Sequence, residues 1–156
     1  MMSFYPKSLT LALFLLANPC TADNLVGTTV PPYPHQWQEE GGSCIISACD
    51  YSLGVLKKAN QRLFYFGKNV DHTSRIAHWQ VLDQMPYPEA PTGYEVVYAA
   101  CERDGQADSS IIAVVQSSDS EWLNKVRFAY RANPETEQFE TLSTQGIRCE
   151  NVGWGV

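Results

Sequence analysis

The chain has 156 residues and carries 17 acids against 11 Lys and Arg, for a formal net charge of −6 at pH 7. That length supports one domain with a real core. The acidity argues against a nucleic-acid or anionic-membrane partner, both of which need basic surface, and suits a partner that is itself basic.

Met1 to Lys7 carries one positive side chain and no acid, and Ser8 to Ala17 (SLTLALFLLA) is uncharged. Asn18 and Pro19 end the run, and Cys20-Thr21-Ala22 offers small residues for a cleavage site. The apolar run is about ten residues, short of the ~20 needed to cross a bilayer. Residues 1–22 therefore read as a signal peptide cleaved after Ala22, which sends the chain to the periplasm with no membrane attachment afterwards. Lipid attachment at Cys20 is the alternative, and Pro19 before it is poorly suited to that processing. The mature chain keeps all 17 acids and loses only Lys7, so its net charge is −7, ten bases against 17 acids.

Residues 23–42 contain Pro31, Pro32, Pro34 and Gly41-Gly42. Prolines remove backbone donors and fix φ, so this is expected to be an extended N-terminal arm, with Tyr33 and Trp37 as anchors. Residues 43–156 are expected to form a single, mostly β domain. Strands are expected within Cys44 to Leu56, Arg62 to Phe66 and Ile76 to Leu82, with a helical turn near Gly54 to Arg62. Tyr94 to Cys101 and Ile111 to Gln116 should pair. Trp122 to Tyr130 and Glu137 to Leu142 should form a hairpin around Asn133-Pro134, and Gly146 to Val156 a last short strand. Strands and turns at short spacing, without a sustained helical period, predict an all-β fold of antiparallel hairpins in one small disulfide-bonded domain.

After cleavage four cysteines remain: Cys44, Cys49, Cys101 and Cys149. An even count in an exported chain points to disulfides, and the absence of a C-x2-C pair points away from zinc. Three pairings exist. Cys44–Cys49 with Cys101–Cys149 is favoured, which requires a turn inside Cys-Ile-Ile-Ser-Ala-Cys, near Ser47-Ala48.

No metal or cofactor signature is present in the sequence. His72 and His78 lack an H-E-x-x-H arrangement, His35 lies in the arm, and there is no nucleophile elbow or P-loop. A cysteine hydrolase using Cys44 with His72 or His78 is the enzymatic alternative, opposed by the even cysteine count. Trp37, Trp79, Trp122, Trp154, Tyr65, Tyr94 and Tyr130 could line a carbohydrate-binding face, but aromatics at strand positions are usually core. More specific is the polar stretch Glu102 to Ser110 between two apolar strands. It is longer than a tight hairpin needs and carries Glu102, Asp104 and Asp108 against one Arg103.

An exported small β domain with an acidic balance and the sequence Asp108-Ser109-Ser110 before Ile111-Ile112 resembles the periplasmic immunity proteins that protect bacteria from type VI secretion amidase effectors. Among these it resembles the immunity partners of NlpC/P60-like cysteine amidases of pseudomonads. The resemblance implies no enzymatic activity. It implies instead a loop that enters the effector's cleft against its catalytic Cys–His pair, with Ser109 and Ser110 as plugging residues and Asp108 and Gln106 beside them. A periplasmic lysozyme inhibitor, which also plugs a cleft with a loop, is the neighbouring alternative. Free-thiol titration separates both from the hydrolase alternative.

Overall fold

A computed structural model describes residues 23–45 and 48–155; the signal peptide assigned to residues 1–22 lies outside the described residues. The described elements are all strands. The first five, β1 (Thr29–Val30), β2 (Gln38–Cys44), β3 (Tyr51–Lys58), β4 (Gln61–Asn69) and β5 (Trp79–Pro86), form one antiparallel sheet in the order β1-β5-β4-β3-β2. The chain then passes into a second sheet at β6 (Tyr94–Tyr98) and leaves it for β7 (Cys101–Arg103) and β8 (Gln106–Ala107). It returns as β9 (Ile111–Gln116), leaves at β10 (Trp122–Leu123), returns as β11 (Val126–Asn133) and β12 (Gln138–Leu142), and ends in β13 (Ile147–Glu150). The second sheet has the order β12-β11-β9-β6, and the third β10-β13-β7-β8.

Period-two patterning stacks these sheets. Leu53 and Val55 of β3 and Phe64 and Phe66 of β4 face one way and pack with Ile112 and Ala132 of the second sheet. Leu56, Leu63 and Tyr65 face the other way, under a cover made by Leu25, Val30 and Trp37. The far side of the second sheet, through Ile111, Ala113, Val115 and Ala129, packs on Leu123, Ile147 and Cys149 of the third. β9 is thus covered on both faces, and Ile111 through Val115 are all fully buried. A strand buried on both faces has no polar side to show, which is why its sequence is the continuous run Ile-Ile-Ala-Val-Val. Each such Val or Ile contributes about 1.5–3 kcal/mol by leaving water.

Three expectations need correction. The helical turn near Gly54 to Arg62 is instead the β3–β4 hairpin, with Lys58 opposite Gln61 and Ala59 at a φ of 50°. Alternate residues there enter different cores, a period of two and not 3.6. The strand expected from Ile76 starts at Trp79 and runs on to Pro86, while Ile76 is exposed. The Pro-rich stretch 23–42 is extended but is no separate arm: Thr29 and Val30 pair with Gln80 and Trp79, and β2 has already begun at Gln38.

The start of this stretch is clamped. Gln84 accepts a hydrogen bond from Leu25 N at 2.7 Å and donates one to Asp23 O at 2.9 Å. The Asp23 carboxylate accepts from Lys58 Nζ at 2.5 Å and from Trp37 Nε1 at 3.1 Å. The Lys58 hydrogen bond, chiefly, holds the Asp23 carboxyl below the usual carboxylate range. At the edge of this core, burial and then the hydrogen bond to Glu39 push the Tyr33 hydroxyl up to about 12.

The cysteines pair as favoured, Cys44 with Cys49 and Cys101 with Cys149. The described part of the first loop contains a turn at Ala48; Ser47 lies outside the described residues. Two disulfides fit a chain that folds in an oxidising, non-cytoplasmic environment. Among the described residues no helix is long and apolar enough to cross a membrane.

Candidate partner-binding site

The stretch Glu102 to Ser110 folds into two small structures. First comes a hairpin. β7 and β8 pair through Glu102 opposite Ala107 and Arg103 opposite Gln106, leaving Asp104-Gly105 as a two-residue connection. Asp104 has a φ of 51° and Gly105 of 78°. Positive φ at both positions is the signature of a type I′ turn, for which Asp-Gly is a preferred pair because its twist matches that of the strands.

The hairpin is braced at its base. Cys101 lies opposite Cys149 in the β7–β13 ladder, and the disulfide joins the two strands with a Cα separation of 3.9 Å. Glu102 accepts from Arg148 Nε at 2.5 Å, and the Arg148 guanidinium lies 4.1 Å over the Trp122 ring. Asp104 N donates to Gly146 O at 2.8 Å. Gly146 has a φ of 77°, the left-handed region that favours glycine, and a Cβ there would push the Asp104 carboxylate aside. Beyond these braces Asp104, Gly105, Gln106 and Ala107 are exposed, and β8 is an edge strand.

The second structure is an inward-facing turn. Asp108 Oδ1 accepts from Ser110 N at 3.0 Å and from the Ser110 hydroxyl. Ser110 is 1% exposed, and its carbonyl accepts from Ala132 N at 3.0 Å. Ser109 Oγ donates to Ile45 O at 2.7 Å. The expected plugging residues, Ser109 and Ser110, thus stand behind the hairpin tip. Ser110 faces the protein and has no hydroxyl to offer a partner. Ser109 is half-buried and committed to the β2–β3 connection. Glu102, held by Arg148, is a brace. Of the six residues singled out from sequence, Asp104 and Gln106 stand at the tip, and Asp108 orders the turn behind it.

The structure also brings in residues that the sequence reading passed over. Arg131 lies opposite Ile111 in the β11–β9 ladder, and its Nε sits 3.9 Å from Asp108 Oδ2. Arg103 and Arg131 together line a small pocket of about 300 Å³ beside the hairpin. The two are far apart in the chain and stand on different sheets, β7 of the third and β11 of the second, so tertiary packing and not sequence makes them neighbours.

The other sequence candidates fall into place as structural groups. Trp37, Trp79 and Tyr65 are buried in the first core, and Tyr130 packs against the second. Arg127 lies over Tyr94 as Arg148 does over Trp122. Trp154 is exposed, away from these clusters. Tyr87 stacks on Phe64 and carries Arg62 at 3.8 Å over its ring. The sulfur of Cys44 is bonded to Cys49, and His72 lies 3.6 Å from Asp50 on the surface. Among the described residues no cluster of His, Cys, Asp and Glu has the arrangement of a metal site. No protein-family model matches the chain, and neither curated proteins nor solved structures give a match.

Proposed function

We propose that this protein is a periplasmic inhibitor, of the immunity-protein kind, that binds an exported peptidoglycan-cleaving amidase and inserts the β7–β8 hairpin into its active-site cleft. The observation that carries the reading is the hairpin itself. Four exposed residues project from a type I′ turn at a sheet edge, behind a disulfide, an ion pair stacked on Trp122 and the Asp104–Gly146 contact. A hairpin fixed in this way loses little conformational freedom on binding, so more of the contact energy appears as affinity.

The chemistry of the tip suits a Cys–His site. The Gln106 amide donates and accepts, so it can satisfy an imidazole nitrogen in either tautomer, a role the sequence resemblance gave to Ser109 and Ser110. The net charge of −7 on the mature chain favours encounter with a basic enzyme. Export is supported by the sequence of residues 1–22, by the two disulfides, and by the clamping of Asp23 and Leu25 through Gln84 immediately after the expected cleavage point. The cysteine-hydrolase alternative needs a thiolate at Cys44, and the bond to Cys49 engages that sulfur.

Co-purification tests the reading. The mature protein, expressed with the cell-wall hydrolase proposed as its partner, sought first among the products of adjacent genes, should elute as a stable heterocomplex and show no hydrolase activity by itself. Separate elution of the two, or a reactive thiol at Cys44 in the native protein, would overturn it.

A further inference from the structure

The pocket beside the hairpin is built of cations in a chain that is acidic overall. Its walls include Arg103, Gln106, Asp108, Ser110, Arg131 and Pro134. Arg103 has no anionic partner among the described residues, and Arg131 has only a loose one in Asp108. Arg131 Nε is buried and accepted by no described residue; Asp108 Oδ2, at 3.9 Å, is beyond hydrogen-bonding range. The acid across the β11–β12 ladder, Glu140, accepts from Thr136 Oγ1 and Asn133, and its carboxyl is held low by those hydrogen bonds first and by the Arg131 charge last. Asp108 gives Oδ1 to Ser110 and leaves Oδ2 toward Arg131 at 3.9 Å. Among the described residues no carboxylate pairs with Arg103 within 4.0 Å, while Arg62 and Arg148 each hold a glutamate. The Arg131 side chain as a whole is 42% exposed although its Nε is buried.

Two guanidinium groups against one carboxylate give the pocket a net positive charge. Each guanidinium presents a planar fork of donors that matches the two oxygens of a carboxylate. A cavity of about 300 Å³ admits one small side chain and excludes a folded segment. We propose that this pocket is a carboxylate-binding site and that it receives an Asp or Glu side chain of the protein partner while the hairpin tip occupies the cleft. The choice of a protein as the source rests on the inhibitor reading above; the carboxylate chemistry rests on the pocket alone. The arrangement gives the inhibitor a second contact that discriminates among partners, because an enzyme without an acid at that place would leave Arg103 unpaired in the interface and Arg131 with only its loose contact to Asp108.

The test uses the isolated mature protein, labelled so that the arginine Nε–H resonances are visible by NMR. It is titrated with a capped Gly-Asp-Gly peptide, with the capped Gly-Asn-Gly peptide, and with sodium chloride at matched ionic strength. The aspartate peptide should shift the Arg103 and Arg131 signals saturably, with affinity on the order of millimolar or weaker. The asparagine peptide and chloride should not. Arg103→Gln and Arg131→Gln should each weaken binding at least about tenfold, and since Arg131 is partly buried, the Arg103 variant serves as the arm that keeps the fold. Equal shifts with the asparagine peptide, or shifts that chloride reproduces, would overturn the assignment. Because no toxin is present, failure here leaves the inhibitor reading intact, and failure of the co-purification leaves the pocket intact.

Discussion

Tyr65 lies across Gly54, its register partner on the neighbouring strand, so closely that a Cβ at position 54 would fall within the phenol ring. Tyr65 is fully buried, and its hydroxyl donates toward Glu39 at 3.5 Å. Gly67 extends the same channel, with the Trp79 Cβ and the Tyr65 ring against it. Gly54→Ala should therefore act as overpacking at a rigid ring and cost about 1–3 kcal/mol. Urea denaturation of the mature protein would show a lower midpoint with an unchanged slope. An unaltered midpoint would mean that the ring can leave the channel freely.

The two halves of Glu102 to Ser110 should respond to mutation in opposite ways. Gln106→Trp, at the exposed tip, should leave stability within about 0.5 kcal/mol and weaken binding to the amidase at least about 100-fold, equivalent to about 2.7 kcal/mol. Ser110→Ala removes a buried hydroxyl that donates to Asp108, so it should cost folding stability of about 0.5–1.5 kcal/mol while affecting affinity less. Calorimetry of the complex, read beside thermal melts of the free protein, separates the two. Strong loss of binding from Ser110→Ala with unchanged stability would return the plug to the serines.

The disulfides differ in the loops they close, with sequence separations of 48 for Cys101–Cys149 and 5 for Cys44–Cys49. On the chain-entropy account, losing the first should cost about 4 kcal/mol and losing the second about 2 kcal/mol. Paired Cys→Ala variants compared by denaturant unfolding check the order. Equal costs would show that restriction of the unfolded chain is not what sets them.

Asp23 supplies a pH dependence of known sign. Its folded pKa is lowered from the model-peptide range, chiefly by the hydrogen bond from Lys58. A depressed carboxylate stabilises the fold above its unfolded pKa, near 3.8, and that contribution disappears as pH falls through the lower folded value. Lys58→Met should therefore reduce stability at neutral pH and flatten the loss of stability below about pH 4. NMR titration of Asp23 should show its midpoint rising in the variant; an unmoved midpoint would contradict the assignment of cause.

What the sequence made legible follows from local physics. Ile111 to Gln116 announced a strand paired with Tyr94 to Cys101, and the even cysteine count announced disulfides. The errors arose where register decides. Val55 and Leu56 enter different cores, so their neighbourhood looked helical until β3 and β4 were paired. Gln106 and Ala107 read as loop because strand residues that short carry no pattern of their own. Ser109 and Ser110 looked like a polar tip because nothing local tells that Ile45 and Asp108 hold them inward. Arg131 was invisible as a site residue because only the ladder with Ile111 brings it to Asp108.

Inhibition tests the central claim most directly. The mature protein is titrated into the exported amidase proposed as its partner, sought first among the products of adjacent genes, while release of peptidoglycan fragments is followed, with the Gln106→Trp variant run in parallel. The account predicts that activity falls linearly to zero at one inhibitor per enzyme and that the variant needs at least about a 100-fold higher concentration, in proportion to its weaker binding. An amidase that stays fully active in excess inhibitor, or one that Gln106→Trp inhibits as well as the unaltered protein does, would contradict it.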